Sequence, residues 1–298
     1  MSFADNVAPQ RFHFIKYHGL GNDFAVFKGG MADLPSPQPD TVRQLCARGK
    51  GIGADGIIIA RRSETADVRM ELINSDGTIP QMCGNGLRCF VKYCVEELAM
   101  SDSQLDVETE GGVRRCFSRL DDHGRVDRVK VDMGPPTFER STIPMSGAGP
   151  ALEIDVEADG RVFQATGVNT GNPHLVTFCE PSTEIAVRYG PILEQHPLWP
   201  AKANVEFVAV RGPQHLEVVV WERACGLTQA CGTGATASAA AACKLGKAAF
   251  DTPITVSLPG GQLDITIENA FRTAWMAGPV VKVYEGMFDT SPSTGQDG

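Results

Sequence analysis

Two cysteines stand in closely similar contexts in the two halves of the 298-residue sequence. The motif is Cys-Gly-Asn-Gly at 83–86 and Cys-Gly-Thr-Gly at 231–234, and helix-forming residues follow each copy. A cysteine at a helix N-terminus faces free backbone N–H groups and the positive end of the helix dipole. Such a setting can lower a thiol pKa from about 8.5 to roughly 3.5–7.5. We therefore predict that Cys83 and Cys231 are an acid/base pair.

The glycines beside each cysteine allow the backbone to approach a ligand closely. Four backbone N–H groups are predicted to cradle an anion such as a carboxylate, those of Gly84, Asn85, Gly232 and Thr233. If the two halves pack about a pseudo-twofold axis, one thiolate removes a proton from one face of a carbon and the other thiol protonates the opposite face. This operation inverts a stereocentre, and the two helix N-termini stabilise the charge that develops on the carboxylate. We expect it to need no cofactor, neither pyridoxal phosphate nor a metal.

The cysteines belong to an internal repeat, because position 231 follows position 83 by 148 residues, about half the chain. Three further features recur at nearly the same offset. They are the strand-like runs 68–73 and 216–221, the Gly-Gly pairs 111–112 and 260–261, and the Gly-Asn pairs 21–22 and 171–172. The repeat predicts an α+β fold of two similar halves.

Local patterns place helices and strands around these motifs. Helices are predicted at 87–100 and 235–246, behind the cysteines, with a shorter one at 40–48; the small residues of 235–246 predict a helix enclosed by sheet. Further strands are predicted from period-two patterning at 12–17, 24–28, 125–133 and 204–210. Residues 29–39 are predicted only as a surface connection, 134–150 as a linker, and 2–9 and 291–298 as frayed ends.

The composition narrows the class of protein. A formal net charge of −9 and a pI near 5.2, without a basic patch, argue against a nucleic-acid partner. The longest apolar runs are too short to span a membrane, and the N-terminus lacks the pattern of a signal peptide. Nine cysteines, an odd number without C-x-x-C spacing, favour a cytoplasmic protein with reduced thiols and no metal site.

Motifs along almost the whole chain resemble those of diaminopimelate epimerases. They lie at Tyr17–Phe24, Gly51–Gly56, Asn74–Gly77, Met82–Arg88, Gly171–His174, Asn204–Phe207, Glu222–Arg223 and Thr228–Gly234. The resemblance implies two pseudo-symmetric domains, each a curled, mostly antiparallel sheet around a central helix. It also implies that the last strand, 279–285, returns to the first domain. The predicted domains are then 1–130 with 278–298, carrying Cys83, and 131–277, carrying Cys231.

The same resemblance implies an activity and a set of binding residues. The reaction is the reversible conversion of LL- to meso-diaminopimelate, a small diamino-diacid, for lysine and peptidoglycan precursors, often by a homodimer. Six side chains would bind the distal end of the substrate, which is not inverted: Asn22, Asn74, Asn172, Asn204, Glu222 and Arg223. Arg223 can pair bidentately with the distal carboxylate, and Glu222 can take the distal ammonium. We also hypothesise that His174 and Glu222 tune Cys83.

The sequence departs from the family pattern at three positions. We expect these departures to affect the affinity for the substrate and not the reaction. Gly56 stands where some members have Gln, Leu227 stands where Glu is frequent, and Cys225 is less usual nearby. A related racemase of the proline or histidine type stays an alternative, although proline racemases often have His where this chain has Asn85. Outside catalysis, a dithiol redox switch or a plain binding protein is the other alternative.

Overall fold

The structure, a computed structural model, describes residues 11–28 and 36–289. Within these ranges the α-helices are α1 Pro39–Cys46, α2 Gly84–Glu97, α3 Thr183–Glu194 and α4 Gly232–Lys244. None of them is both long and apolar enough to cross a membrane. The predicted frayed ends 2–9 and 291–298 lie outside the described residues, as does most of the predicted connection 29–39.

The described strands follow in chain order. They are β1 Arg11–Gly19, β2 Asn22–Lys28, β3 Gly56–Arg61, β4 Val68–Asn74, β5 Leu105–Thr109, β6 Gly112–Leu120, β7 Val126–Gly134, β8 Ile154–Ala158, β9 Arg161–Asn169, β10 Pro173–Phe178, β11 Asn204–Gly212, β12 His215–Glu222, β13 Gly226–Leu227, β14 Ile254–Leu258, β15 Gly261–Ile267, β16 Ala274–Pro279 and β17 Val281–Asp289. The chain divides into two compact units.

The first unit holds the described residues up to Gln81, Gly86–Asp127 and the described residues from Val280 onward. Its strands pair in the order β17-β1-β2-β3-β4-β5-β6. The β2–β3 and β4–β5 pairs are parallel and the others antiparallel. The last described strand, β17, thus lies beside the first described strand, β1, with Arg11 opposite Asp289.

The second unit holds Arg128–Pro279 together with the short segment Met82–Asn85, which carries Cys83. Its strands pair in the order β8-β9-β10-β11-β12-β14-β15-β16-β7. Here β10–β11 and β12–β14 are parallel and the others antiparallel. The predicted linker 134–150 is part of this unit.

The internal repeat is visible in the strand pattern of each unit. From β1 to β6, successive pairs run antiparallel, parallel, antiparallel, parallel, antiparallel. The path from β9 to β15 through β10, β11, β12 and β14 gives the same sequence. Helices α1 and α2 follow the second and fourth strands of the first path, and α3 and α4 follow those of the second.

One helix in each unit is enclosed. In α2, each residue from Gly84 to Cys94 is buried, including Arg88 and Lys92. In α4, each residue from Gly232 to Cys243 is buried, and the helix contacts strands β9 to β12 and β14 to β16. Small side chains around the whole circumference of α4 allow this close enclosure. Two helices of a mostly antiparallel fold therefore carry the cysteine motifs at their first residues.

The outer helices pack on separate apolar cores. In the first unit, Val42 and Leu45 of α1 join a core with Phe14 and Phe27. In the second, α3 contributes Ala186, Tyr189 and Leu193 to a core that also contains Phe163 and Phe207. Helix α3 was not among the predicted elements, because Gly190 and Pro191 interrupt its helical pattern. Its N-cap Ser182, which accepts a hydrogen bond from the Ile185 N–H, is the sequence signal that marks its start.

Candidate active site

Cys231 is the N-cap residue of α4, with extended backbone dihedrals of φ −122° and ψ 112°. Its Sγ accepts a hydrogen bond from the Gly234 N–H at 3.3 Å and lies 3.4 Å from Thr233 Oγ1. The residue is only 5% exposed. The helix begins three residues earlier than the predicted 235–246, and this difference places the thiol at the helix N-terminus.

Cys83 directly precedes α2, which likewise starts three residues before its predicted beginning. It is partly exposed, whereas Cys231 is buried. At the start of any α-helix the first N–H groups point out of the N-terminus, away from the carbonyls of the helix. This applies to the four N–H groups predicted to cradle a carboxylate, those of Gly84, Asn85, Gly232 and Thr233.

The residues that follow Cys83 contact those on both sides of Cys231, all within the second unit. The Asn85 Nδ2 donates to the Ala230 carbonyl at 3.4 Å. A Cβ on Gly232 would lie 2.9 Å from Sδ of Met276 and 3.6 Å from Oδ1 of Asn85, and a Cβ on Gly84 would lie 2.5 Å from Cε of Met276. Gly84 and Gly232 therefore leave room for the side chain of Met276. This side chain contacts both segments that begin at Cys83 and Cys231, here called the cysteine turns.

Two carboxyl groups set the electrostatics around Cys231. Burial raises the pKa of the Cys231 thiol well above its ordinary value, and the charges of Glu222 and Glu206 raise it further. The Thr233 hydroxyl and the Gly234 N–H oppose this shift. The sequence-based expectation of a lowered thiol pKa is therefore wrong for Cys231, because burial and two nearby carboxylates outweigh the helix N-terminus.

Glu222 ends β12 and is hydrogen-bonded next to Cys231. The Thr228 Oγ1 donates to its Oε1 at 2.6 Å, and hydrogen bonding from the Cys231 thiol favours the charged form and so lowers the pKa of Glu222. Burial raises the pKa of Glu222, while these hydrogen bonds oppose the rise. This arrangement joins Glu222 to Cys231; the hypothesis that Glu222 and His174 tune Cys83 stays a prediction.

A chain of three polar side chains, of which His174 and Glu206 are buried and Asn172 is partly exposed, lies beside the α4 N-terminus. His174 Nδ1 is 2.7 Å from Glu206 Oε1, and His174 Nε2 is 2.7 Å from Asn172 Oδ1. His174 and Glu206 are both 0% exposed. A Cβ on Gly234 would lie 2.7 Å from Glu206 Oε1, so a glycine is needed where the helix passes this carboxylate. Burial raises the pKa of Glu206, although His174 opposes the shift.

We expect Glu206→Gln to gain stability relative to the wild type as pH rises from 4 to 8. An acid with a raised pKa in the folded state binds more protons when folded, so its contribution to stability falls as pH rises above its unfolded pKa of about 4.3. Glutamine removes this loss, so the difference in melting temperature should grow by about 2–4 °C across the range. Thermal unfolding followed by circular dichroism measures it.

Glu217→Gln is the matched control, because Glu217 is exposed on β12, where it pairs with Arg211. Its melting temperature should keep a constant offset from the wild type between pH 4 and pH 8. A Glu206→Gln offset that stays flat or shrinks with rising pH would contradict the buried-carboxylate interpretation.

Arg223 and Asn204 are brought together in the second unit. The Asn204 Oδ1 accepts from the Arg223 backbone N–H at 2.9 Å, and its Nδ2 donates to the Pro173 carbonyl at 3.0 Å. The Arg223 guanidinium donates to the Ala201 carbonyl at 3.1 Å through one nitrogen. A guanidinium has five N–H donors, so this single bond leaves capacity for a carboxylate.

Asn22 and Asn74 lie in the first unit, and their side chains make contacts there. The Asn22 Nδ2 donates to Asp55 Oδ2 at 2.8 Å, and the Asn74 Nδ2 donates to Thr78 Oγ1 at 3.1 Å. Both residues stand at strand ends, Asn22 at the start of β2 and Asn74 at the end of β4. Their predicted contacts with a substrate stay predictions.

Several residues of this site had no predicted role. Glu206 interrupts a buried run at the start of β11, and a carboxylate within such a run is the signal that could have identified it. Met276 lies on β16 and carried no signal, since its contacts come from residues far away in the sequence. Within residues 11–28 and 36–289, no group of three or more His, Cys, Asp or Glu side chains is placed to hold a metal ion.

Solved structures of other proteins share this fold. A hydroxyproline epimerase from Agrobacterium vitis matches with a TM-score of 0.71 at 15% sequence identity, over 95% of this chain and 93% of that one. A phenazine biosynthesis protein from Bacillus anthracis matches with a TM-score of 0.68 at 16% identity, over 94% and 99%. The chain therefore has the two-domain fold of these epimerase and phenazine biosynthesis proteins, and the predicted fold class is confirmed.

The sequence comparisons are more specific than the fold. The family model of diaminopimelate epimerase matches residues 14–139 and 166–283. A diaminopimelate epimerase from Moorella thermoacetica is 43% identical over 278 residues, which covers 93% of this chain and 99% of that protein. The chain belongs to the diaminopimelate epimerase family, which confirms the resemblance found in the motifs.

Proposed function

We propose that this protein catalyses the reversible interconversion of LL- and meso-diaminopimelate by proton transfer at one Cα. One observation carries the proposal beyond family membership. Asn85 and Met276 link the residues that follow Cys83 to those that flank Cys231. Two cysteines in neighbouring turns, each at a helix N-terminus, are the groups that a two-base inversion requires.

In this proposal Cys83 and Cys231 exchange the roles of base and acid according to the direction of the reaction. Burial and the nearby carboxylates hold Cys231 as a thiol, a form suited to donate a proton. The backbone N–H groups of Gly84, Asn85, Gly232 and Thr233 would bind the reacting α-carboxylate. They would stabilise the negative charge that develops on it when the Cα proton leaves.

The distal end of the substrate would be bound by the six predicted side chains. Arg223 keeps donors available for a carboxylate, and Asn204 fixes the backbone beside it. Glu222 would take the ammonium, and Asn22, Asn74 and Asn172 would complete the contacts through their amides. In this proposal Arg223 binds a distal carboxylate and Glu222 binds a distal ammonium. Such a site favours a diamino-diacid over proline or histidine.

The test is proton exchange at Cα in deuterated water. The wild-type protein is incubated with LL-diaminopimelate, meso-diaminopimelate, proline and histidine, and deuterium incorporation is followed by NMR and mass spectrometry. We expect deuterium at Cα, and formation of the other isomer, with the diaminopimelates only. Faster exchange with proline or histidine would replace the proposed substrate, and exchange with none of the four would overturn the proposed reaction.

We further propose that the protein works in the cytoplasm as a homodimer. Within the described residues, which include all nine cysteines, no disulfide bond is formed, and this suits a reducing compartment. Strand β17 pairs with β1, and its apolar side chains Val281, Val283 and Met287 are about half exposed. A bulge at Val283 breaks the alternation of side chains along β17, so Val281 and Met287 lie on opposite faces of this strand. A second copy that packs on β17 would cover a surface otherwise prone to aggregation.

We expect Val283→Lys to convert the dimer to a monomer, because a charge would be buried against the second copy. Size-exclusion chromatography with light scattering gives the mass directly. Val162→Lys is the control, since Val162 is 60% exposed on β9 of the second unit. A wild-type protein of monomer mass, or a Val283→Lys protein of dimer mass, would exclude this arrangement.

A further inference from the structure

Arg223 lies at the tip of a tight β-hairpin. Strands β12 and β13 pair antiparallel, with Glu222 opposite Gly226, so only three residues form the loop between them. Ala224 in this loop has φ +65°, a left-handed conformation that strains a non-glycine residue. Ala224 and Cys225 are both exposed. A loop with this strain and this exposure needs contacts from outside the hairpin to keep one conformation.

Glu194, the last residue of α3, supplies those contacts. Its Oε2 accepts from the Trp221 Nε1 at 2.9 Å, and its Oε1 accepts from the Ala224 N–H at 3.2 Å. The Lys202 Nζ lies 3.7 Å from the same Oε1. Glu194 itself is only 5% exposed. One buried carboxylate therefore bonds the residues on both sides of the Glu222–Arg223 pair.

The helix that carries Glu194 is packed directly against the hairpin. A Cβ on Gly190 would lie 2.4 Å from Cγ of Trp221, so the helix approaches this ring as closely as a glycine allows. On the hairpin, a Cβ on Gly226 would lie 3.5 Å from Cη2 of the same ring. Helix α3 and the indole thus form a rigid support from which Glu194 reaches the loop.

We propose that Glu194 is a positioning residue that fixes the hairpin tip and so sets the affinity of the site for the second charged end of the substrate. This inference rests on the proposed function, because Arg223 is there the partner of the distal carboxylate. Asn204 holds the Arg223 N–H and Glu194 holds the Ala224 N–H, so two successive backbone groups are fixed. The guanidinium then extends from a tip that does not need to be ordered when the substrate binds.

The distal end does not change during the reaction, so its contacts are the same in the ground state and the transition state. Weakening such contacts raises KM and leaves kcat nearly unchanged. A general loss of structure would lower kcat as well. The separation of KM from kcat therefore distinguishes a positioning role for Glu194 from a merely structural one.

The experiment compares four proteins in steady-state epimerisation of LL-diaminopimelate. Glu194→Gln replaces one of the two carboxylate oxygens by an NH₂ group, which cannot accept the N–H bond that this oxygen now accepts. We expect KM to rise about tenfold with kcat within about threefold of wild type. Trp221→Phe removes only the indole N–H and keeps most of the ring packing, and we expect a KM rise of about threefold. Glu184→Gln, an exposed change in the first turn of α3, should leave both constants unchanged.

Each result decides between support and rejection. A folded Glu194→Gln protein with unchanged KM, or with a fall in kcat alone, would overturn the inference while leaving the proposed function standing. If Glu194→Gln does not fold, as judged by circular dichroism, the KM of Trp221→Phe decides instead. A wild-type protein without turnover would overturn the proposed function and this inference together.

Discussion

Replacing Cys83 or Cys231 by serine will lower the turnover of LL-diaminopimelate by at least about 10³-fold. Serine keeps the size and the hydrogen-bonding capacity of the side chain, but its hydroxyl group is a far weaker acid than a thiol. The serine hydroxyl can therefore neither form the anion that removes a proton from Cα nor, when the reaction runs in the other direction, readily donate a proton to Cα. Formation of the meso isomer, followed by chiral chromatography, measures the loss.

The matched control is Cys225→Ser, an exposed cysteine six positions before Cys231. It changes the same atoms near the same helix and should keep wild-type turnover. Retention of more than about a tenth of the activity in Cys83→Ser would indicate that a single thiol suffices. The two-cysteine mechanism would then be wrong, although the family assignment would stand.

Arg223→Gln is expected to lower kcat/KM for diaminopimelate by about 10²–10³-fold, chiefly through KM. Glutamine can still bond one carboxylate oxygen, but it loses the charge and the bidentate geometry of the guanidinium. Arg188→Gln is the control, because Arg188 is an exposed arginine of the same unit paired with Asp159. An unchanged KM in Arg223→Gln would show that another group binds the distal carboxylate.

The sequence was sufficient to identify the cysteine motifs and the repeat, because both depend on local patterns. Glycine after cysteine, a following helix and a common offset can be recognised without coordinates. The same offset, applied to α1, falls on the end of α3 at 187–194, so the repeat contained the signal for the helix that periodicity missed. The helix starts were placed three residues late, since glycine is a poor helix former and 84–86 was interpreted as a turn.

Other properties of the site depend on distant parts of the chain and could not be predicted. Met276 contacts both cysteine turns only because β16 lies beside the enclosed helix α4. The pKa of Cys231 was predicted in the wrong direction, because a helix N-terminus is visible in a sequence, whereas full burial beside Glu206 and Glu222 is not. Glu194 belongs to a helix that had not been predicted, so its bonds to the hairpin of Arg223 were equally hidden.

The place of β17 has a consequence for how the protein is made. Protein synthesis proceeds from the N-terminus to the C-terminus. The first described strand, β1, nevertheless pairs with β17, the last described strand. The other unit has all its residues once Pro279 has emerged. The half that is synthesised later can therefore complete its sheet first, while the earlier half exposes the edge of β1 until β17 has been synthesised.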